Sequence, residues 1–332
     1  MTSSPRSITV ESPARLHLGF VDLNGDIGRK FGSLGLALDG LSTQVTAELA
    51  SGFYVDGEDS IRAEHYAGTI LQAFGLPRQL RLTVKNAIPT HAGLGSGTQM
   101  ALAIAAAITE LFDFDCDLHK LAAVTGRGQR SGIGIGVFET GGFVFDGGHG
   151  PSTTVPPVLS RFEFPPQWRV VLIHDKHHLG LSGAAETTAF ESLPPMDPAV
   201  AAMLCRVTLL GVFPALVEQD FGSFSGHIAT IQAAIGAHFS ACQGGQYTSP
   251  AVGEAVNWVQ QTQHVAGVGQ TSWGPTGFAF VEDQARAQKT LDGLSERFDG
   301  VPSLTYSVHQ GSNRGAIIAS KQQSNSVAIA RA

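Results

Sequence analysis

Thirteen consecutive residues, Ile88-Pro-Thr-His-Ala-Gly-Leu-Gly-Ser-Gly-Thr-Gln-Met100, have the composition of an anion-binding turn. A β-like segment, Leu80–Ala87, precedes them, and a small-residue helical pattern, Ala101–Phe112, follows. Glycines let backbone N–H groups turn toward a ligand, and a helix start adds unpaired donors and the positive end of its dipole. The first chemical reading is a phosphorylated substrate, cradled by Gly93, Gly95, Ser96, Gly97 and Thr98. No Lys-Ser/Thr pair follows the glycines, and their spacing is G-x-G-x-G, so neither common nucleotide-binding glycine motif is present. The competing reading is structural: a helix start with Ser96 as N-cap and glycines selected for tight packing. Spacing alone does not separate the two.

Other clusters carry chemical potential. In Ala14-Arg-Leu-His-Leu-Gly-Phe20, strand alternation puts Arg15 and His17 on one face, a pairing suited to phosphate or carboxylate, or simply to a half-exposed strand. The next loop holds Asp22 and Asp26, which could bind Mg²⁺ or belong to a solvated turn. A second glycine loop, Gly126–Gly136, contains Arg127 and Arg130, which are costly in an apolar chain unless they meet an anion. Asp175-Lys-His-His178 ends an apolar strand but lacks a third metal ligand. A third glycine loop, Gly267–Gly277, offers Trp273 as a wall for a planar ligand or as a packing anchor.

These residues need a scaffold, and the chain is long enough for two domains or one large α/β body at 332 residues. A net charge of −7 without a basic run argues against nucleic acid, and it requires any polyanion site to concentrate the few basic residues. Cys116, Cys205 and Cys242 read as reduced core residues of a cytoplasmic protein. The N-terminus lacks a secretory apolar region, and the longest apolar stretch read from the sequence, Met100–Ile108, is too short for a membrane span.

Strand patterns appear at Ser7–Val10, Ala14–Phe20, Leu34–Leu41 and Thr43–Ala50, the last two as an antiparallel pair, and again at Leu80–Ala87. Ser60–Phe74 is amphipathic, with Ile61 on its apolar side; Leu118–Thr125 reads as a short helix and Phe138–Phe145 as a strand broken by two glycines. Beyond the turn-rich stretch Gly147–Pro157, Trp168–His174 reads as a central strand. Four helices follow over Pro198–Leu216, Gly222–Ala241, Pro250–His264 and Asp283–Arg297, then two closing strands, Leu304–His309 and Gly315–Ala319. Elements that do not strictly alternate indicate an α+β fold.

Taken together, three loops resemble the GHMP kinase superfamily: Pro13-Ala-Arg-Leu-His17 its first motif, Pro89–Gly97 its second, and Gly269–Gly277 its third glycine loop. The resemblance implies residues 1–160 as a phosphate-binding domain like the second domain of ribosomal protein S5, and residues 161–332 as a ferredoxin-like domain. In family members that use a catalytic aspartate, it follows a Ser-Gly-x motif; here the run is Ser131-Gly-Ile-Gly134, and glycine cannot act as a base. The chain is more similar to a non-kinase branch, β-ribofuranosylaminobenzene 5'-phosphate synthase. That likeness rests on Arg15–Asp22, Gly93–Gln99, Arg130–Gly134 with Gly141–Gly148, and Ser272–Pro275.

The branch implies condensation of phosphoribosyl pyrophosphate with 4-aminobenzoate or 4-hydroxybenzoate, giving a C-riboside, CO₂ and pyrophosphate in methanopterin biosynthesis, with Mg²⁺ expected. On that basis Arg15, His17 and Arg130 are expected at the reaction centre. The Gly93–Thr98 loop and Arg127 are expected on phosphate, Trp273 beside the ring, and Asp22 and Asp26 on the metal, with Asp146 in reserve. A GHMP kinase with a relocated base, or a non-catalytic binding protein, are the alternatives. Oligomeric state is left open, a homodimer included.

Overall fold

Alternating residue types from Arg6 to Asp22 build one long strand, β1 (Arg6–Asp22), in which Ile8, Val10, Leu16 and Leu18 are buried. It pairs along its length with β2 (Phe31–Leu49), in a computed structural model that describes residues 6–180 and 183–322. The two segments expected as an antiparallel pair, Leu34–Leu41 and Thr43–Ala50, belong to this single strand. Pro13 faces Ser42 and the next residue, Ala14, faces Leu38, so Asp39–Leu41 bulge out without partners on β1. A turn-like Asp39-Gly40 makes a bulge here because both flanks share one partner strand.

Next come β3 (Phe53–Gly57), α1 (Ser60–Ala73) and β4 (Leu80–Asn86), a parallel pair joined by a helix. Ala63, Tyr66, Ala67, Ile70 and Leu71 form the buried face of α1, while Ile61, expected among them, is exposed. α2 (Ser96–Leu111) is buried on nearly every side, among them Met100 through Ile108. Burial of each large apolar side chain contributes roughly 1.5–3 kcal/mol, so core packing holds this helix without a side-chain cap. α3 (Leu118–Val124) and α4 (Ile133–Thr140) precede the hairpin β5 (Phe143–Asp146) and β6 (Val158–Phe162). The strand expected over Phe138–Phe145 is thus the end of a helix, a turn at Gly141-Gly142 and a short strand.

In the second half, β7 (Arg169–Asp175) leads to α5 (Gly183–Ser192), α6 (Pro198–Val207), a π-helical turn (Thr208–Val212) and α7 (Phe213–Glu218). α8 (Phe221–Gln243), α9 (Pro250–Thr262), β8 (Val268–Gln270), β9 (Thr276–Val281), α10 (Gln284–Arg297), β10 (Leu304–His309) and β11 (Ile317–Gln322) complete the described chain.

Two sheets result. The first runs β11-β1-β2-β4-β3, with β5 attached to β2 and β6 to β5; the second runs β10-β7-β9-β8, all antiparallel. By order along the chain the second sheet is 4-1-3-2, the ferredoxin-like arrangement. The division expected at residue 160 cuts through β6, which belongs to the first sheet, and β11 returns from the far end of the chain to that sheet's edge. One apolar core includes Leu16, Phe143, Phe164, Phe224 and Phe278, from both halves.

Two expectations change. Among the described residues, Pro198–Glu218, not Met100–Ile108, is the helical stretch long and apolar enough to cross a membrane by length and composition. In the structure Ala201, Leu204, Val212, Ala215 and Leu216 from this stretch pack into the core. The cysteines are free but not deep in the core: Cys205 is exposed, and Cys116 and Cys242 are partly buried.

Candidate active site

The three glycine loops and the middle of β1 surround a cleft of about 560 Å³. Arg15, His17, Gly93, Gly95, Ser96, Gly97, Thr98, Arg127, Arg130 and Trp273 all line it, although they come from four separate stretches of chain.

At the cleft, α2 begins on Gly95, whose φ of +85° lies in the left-handed region that glycine tolerates best. Ser96 is therefore inside the helix rather than its N-cap, and no side chain caps the first turn. Helices α3, α6, α8, α9 and α10 each start with an Asp or Ser side chain accepting a first-turn N–H. The first-turn donors of α2, in contrast, are left for a ligand in the cleft. The neighbouring backbones are nearly in contact. A β-carbon at Gly93 would lie 2.4 Å from the Thr271 carbonyl oxygen, and one at Gly274 would lie 2.4 Å from the Gly93 Cα. The third glycine loop is thus seated directly on the second.

Four arginines reach the cleft against a single carboxylate, counting the described lining residues. Arg127 lies against Gly97, where an added β-carbon would be 3.2 Å from Nη1. Arg127 also donates to the Tyr66 hydroxyl, with its guanidinium 5.2 Å from that ring's centre. Arg15 donates to the Gly93 carbonyl, and burial lowers its pKa to about 10, partly offset by Glu186. Arg62, which sequence reasoning missed, pairs with Asp59 at 2.5 Å and donates to Ser96 Oγ at 3.3 Å. Arg130 pairs with Glu186 of α5 at 2.8 Å and lies 4.7 Å from the centre of the Phe190 ring. Glu186 was missed as well, because α5 was not recognised. Burial raises the Glu186 pKa, and Arg130, Arg15 and Arg127 pull it back.

His17 sits between the charged and aromatic parts of the cleft. Its backbone N–H donates to Thr271 Oγ1 at 2.9 Å, and that hydroxyl donates to the Gly93 carbonyl at 2.9 Å. The Gly19 N–H donates to His17 Nδ1 at 3.3 Å, which places the neutral ring's proton on Nε2. Nε2 is buried with no hydrogen-bond partner, as is Trp273 Nε1. Burial, then the nearby Arg15 charge, lowers the His17 pKa to about 3. Trp273 packs on Phe239 at 4.4 Å and edge-on to Phe190 at 5.3 Å between ring centres. Phe20, which also lines the cleft, meets His17 at 4.7 Å and Phe190 at 5.7 Å. The cleft therefore has an arginine-rich region and an aromatic wall.

The acids expected on a metal do not come to this cleft. Asp22 Oδ1 accepts the N–H groups of Asn24 and Gly25 at 2.8 and 2.9 Å, closing its own turn, and Asp26 is exposed on that turn. Asp146 is fully buried and accepts from Ser33, Ser131, Gly132 and Gly148, anchoring the start of α4. Asp175 accepts from Ser249 Oγ at 2.7 Å and the His177 N–H at 3.0 Å, away from the cleft. No group of three or more His, Cys, Asp or Glu residues able to hold a metal exists among the described residues. Gly134, where a catalytic aspartate would stand, is buried, and an added β-carbon would lie 2.8 Å from Thr98 Cγ2. A side chain at position 134 would press on Thr98.

Known family models match both halves of the chain. Residues 62–142 match the GHMP kinases N terminal domain, and residues 212–300 match the GHMP kinases C terminal family. The β-ribofuranosylphenol 5'-phosphate synthase of Archaeoglobus fulgidus is 32% identical over 291 residues, covering 84% of this chain and 89% of that protein. The protein of the same name from Methanocaldococcus jannaschii is 30% identical over 313 residues, covering 85% and 92%. The chain belongs to the β-ribofuranosylphenol 5'-phosphate synthase family. The fold of this chain is that of the GHMP kinases. The homoserine kinase of Cytophaga hutchinsonii superposes with a TM-score of 0.67 at 16% identity, covering 94% of this chain and 97% of that one. Mevalonate diphosphate decarboxylase of Staphylococcus aureus superposes with a TM-score of 0.66 at 16% identity, covering 95% and 98%. At such identities these two likenesses establish the fold alone.

Proposed function

We propose that this chain condenses phosphoribosyl pyrophosphate with 4-hydroxybenzoate, releasing CO₂ and pyrophosphate and leaving a C-riboside, on the route to tetrahydromethanopterin. The relatives' names refer to a phenol, which favours 4-hydroxybenzoate over 4-aminobenzoate as acceptor. The observation that carries the reading is the cleft itself: an uncapped helix start with Arg15, Arg62, Arg127 and Arg130 around it, beside an aromatic wall.

Each step asks for what those residues supply. The C–O bond to pyrophosphate breaks at the anomeric carbon, and the positive charge that develops there must be met by the ring carbon bearing the carboxylate. Loss of CO₂ from that carbon returns its electron pair to the ring and restores aromaticity. The protein's work is orientation and charge stabilisation. The α2 start with Arg127 grips a phosphate group, and Arg15 and Arg130 balance further anionic charge. The neutral His17 and Trp273 present N–H donors to the bound substrates. Asp22 and Asp26 do not suit a metal at this cleft, and any Mg²⁺ would enter bound to the diphosphate of the substrate.

The kinase alternative is disfavoured by Gly134, which has no side chain to act as a base. Three free cysteines support a reducing, cytoplasmic setting. Mass spectrometry of the product tests the reading. A phosphorylated riboside of phenol is expected, and Arg130→Ala should abolish its formation without lowering the melting temperature. A product that retains the carboxyl group, or unchanged kinetics in Arg130→Ala, would contradict it.

A further inference from the structure

Attack by the ring carbon requires a proton acceptor as well as charge stabilisation. As that carbon forms its bond to the ribose, the 4-hydroxyl becomes acidic, and its proton needs an acceptor. Glu186 is the only carboxylate among the described residues lining the cleft. His17 cannot serve, since its Nδ1 already accepts the Gly19 N–H and its Nε2 is a donor; of the other two lining groups able to take a proton, His91 and Glu186, Glu186 is tied through Arg130 to the aromatic wall. The Tyr66 hydroxyl is engaged by Arg127.

Glu186 is also in the right company. Four residues along α5, on the same helical face, stands Phe190, which packs edge-on to Trp273. Arg130 bridges the two, paired with the Glu186 carboxylate at 2.8 Å and lying 4.7 Å from the Phe190 ring centre. The carboxylate therefore lies at the polar end of the aromatic wall, with its side chain 24% exposed and still open to a substrate.

We propose that Glu186 is a catalytic residue of the synthase reaction, the group that takes and returns the proton of the acceptor's 4-hydroxyl. The proposal rests on the synthase reading above. In the first step the O–H proton passes to Glu186, the ring carbon forms its bond to the anomeric carbon, and pyrophosphate departs with the C–O electron pair. The product is a neutral dienone ring still carrying the carboxylate. In the second step the bond to the carboxylate breaks, CO₂ leaves, and the electron pair flows through the ring to the oxygen. That oxygen recovers the proton from Glu186, so no net proton is consumed. Burial raises the Glu186 pKa, against the pull of Arg130, Arg15 and Arg127, and a raised pKa makes a carboxylate a stronger base.

The test measures CO₂ release from 4-hydroxybenzoate and from its 3-fluoro and 3,5-difluoro analogues, whose phenol protons are progressively more acidic. With Glu186→Gln, kcat for 4-hydroxybenzoate should fall by about 10²-fold or more. The loss should shrink with each fluorine, and the KM for phosphoribosyl pyrophosphate should stay within a few-fold. Glu186→Asp, which keeps the carboxylate, should recover much of the rate. An unchanged kcat in Glu186→Gln, a loss equal for all three phenols, or a Glu186→Asp as impaired as Glu186→Gln would overturn the assignment. Failure of the unmodified enzyme to release CO₂ from any of the three is a different result, and it would overturn the synthase reading itself.

Discussion

Gly134 and Thr98 are packed so that a β-carbon on the glycine would lie 2.8 Å from the threonine Cγ2. The contact joins the start of α4 to the start of α2, the two helices that emerge from glycine loops at the cleft. Restoring an acid there does not restore a kinase. Gly134→Asp should cost about 1–3 kcal/mol from overpacking, with a further cost from the buried charge, and lower the melting temperature by several degrees. It should confer no ATP-dependent phosphorylation. Gain of ATP turnover at undiminished stability would mean that the base position is open.

Arg127 touches the helix start through Gly97 and has no carboxylate partner among the described residues. A hydrogen bond to a charged group contributes roughly 1.5–3 kcal/mol. Arg127→Ala should therefore raise the KM for phosphoribosyl pyrophosphate roughly 10- to 100-fold, with a smaller effect on the KM for the benzoate. A steady-state comparison of the two substrates checks this, and an effect confined to the benzoate would reverse the assignment of the two regions of the cleft.

His17 links stability to pH. In the folded chain it stays neutral down to about pH 3, whereas an unfolded histidine takes its proton near roughly pH 6.5. Between those values the unfolded state binds more protons, so stability rises with pH across the window. The contribution is complete above the unfolded value and is lost as pH falls toward the folded one, by an amount on the order of a few kcal/mol. Melting temperatures measured from pH 7.5 down to 4.5 should fall more steeply for the unmodified chain than for His17→Asn. Parallel curves would show that the ring protonates freely in the fold.

Trp273 Nε1 is buried without a partner beside the cleft. If that N–H donates to the bound substrate, Trp273→Phe should keep the aromatic wall and lose about 1 kcal/mol of binding. That corresponds to a KM roughly 5-fold higher for the benzoate. Unaltered benzoate kinetics would reduce Trp273 to a packing residue.

The legible part of this molecule was chemical. Arg15, His17, the Gly93–Thr98 loop, Arg127, Arg130 and Trp273 were recognisable because charged and aromatic residues set among glycines have few structural uses, and the cleft gathers all of them. What escaped depended on tertiary context. α5 has the sequence GAAETTAFES, with little apolar periodicity, so its helix and Glu186 were invisible; the Glu186–Phe190 spacing was the one available signal. Ile133-Gly-Ile-Gly136 reads in sequence as the end of the second glycine loop, yet Ile133, Ile135 and both glycines are buried in a helix. Asp22 closes its own turn outside the cleft, and a carboxylate in that role looks, in sequence, like a metal ligand. The single strand β2 was read as two because its bulge at Asp39–Leu41 carries turn residues.

On the proposed function, the cleft transfers a phosphoribosyl group with loss of CO₂ instead of transferring a phosphoryl group from ATP. The direct measurement is release of label from carboxyl-labelled 4-hydroxybenzoate incubated with the protein, Mg²⁺ and phosphoribosyl pyrophosphate. Labelled CO₂ should appear in step with pyrophosphate and only when phosphoribosyl pyrophosphate is present, with ATP unable to replace it. Retention of the label, together with ATP-dependent phosphorylation of an alcohol, would contradict the account.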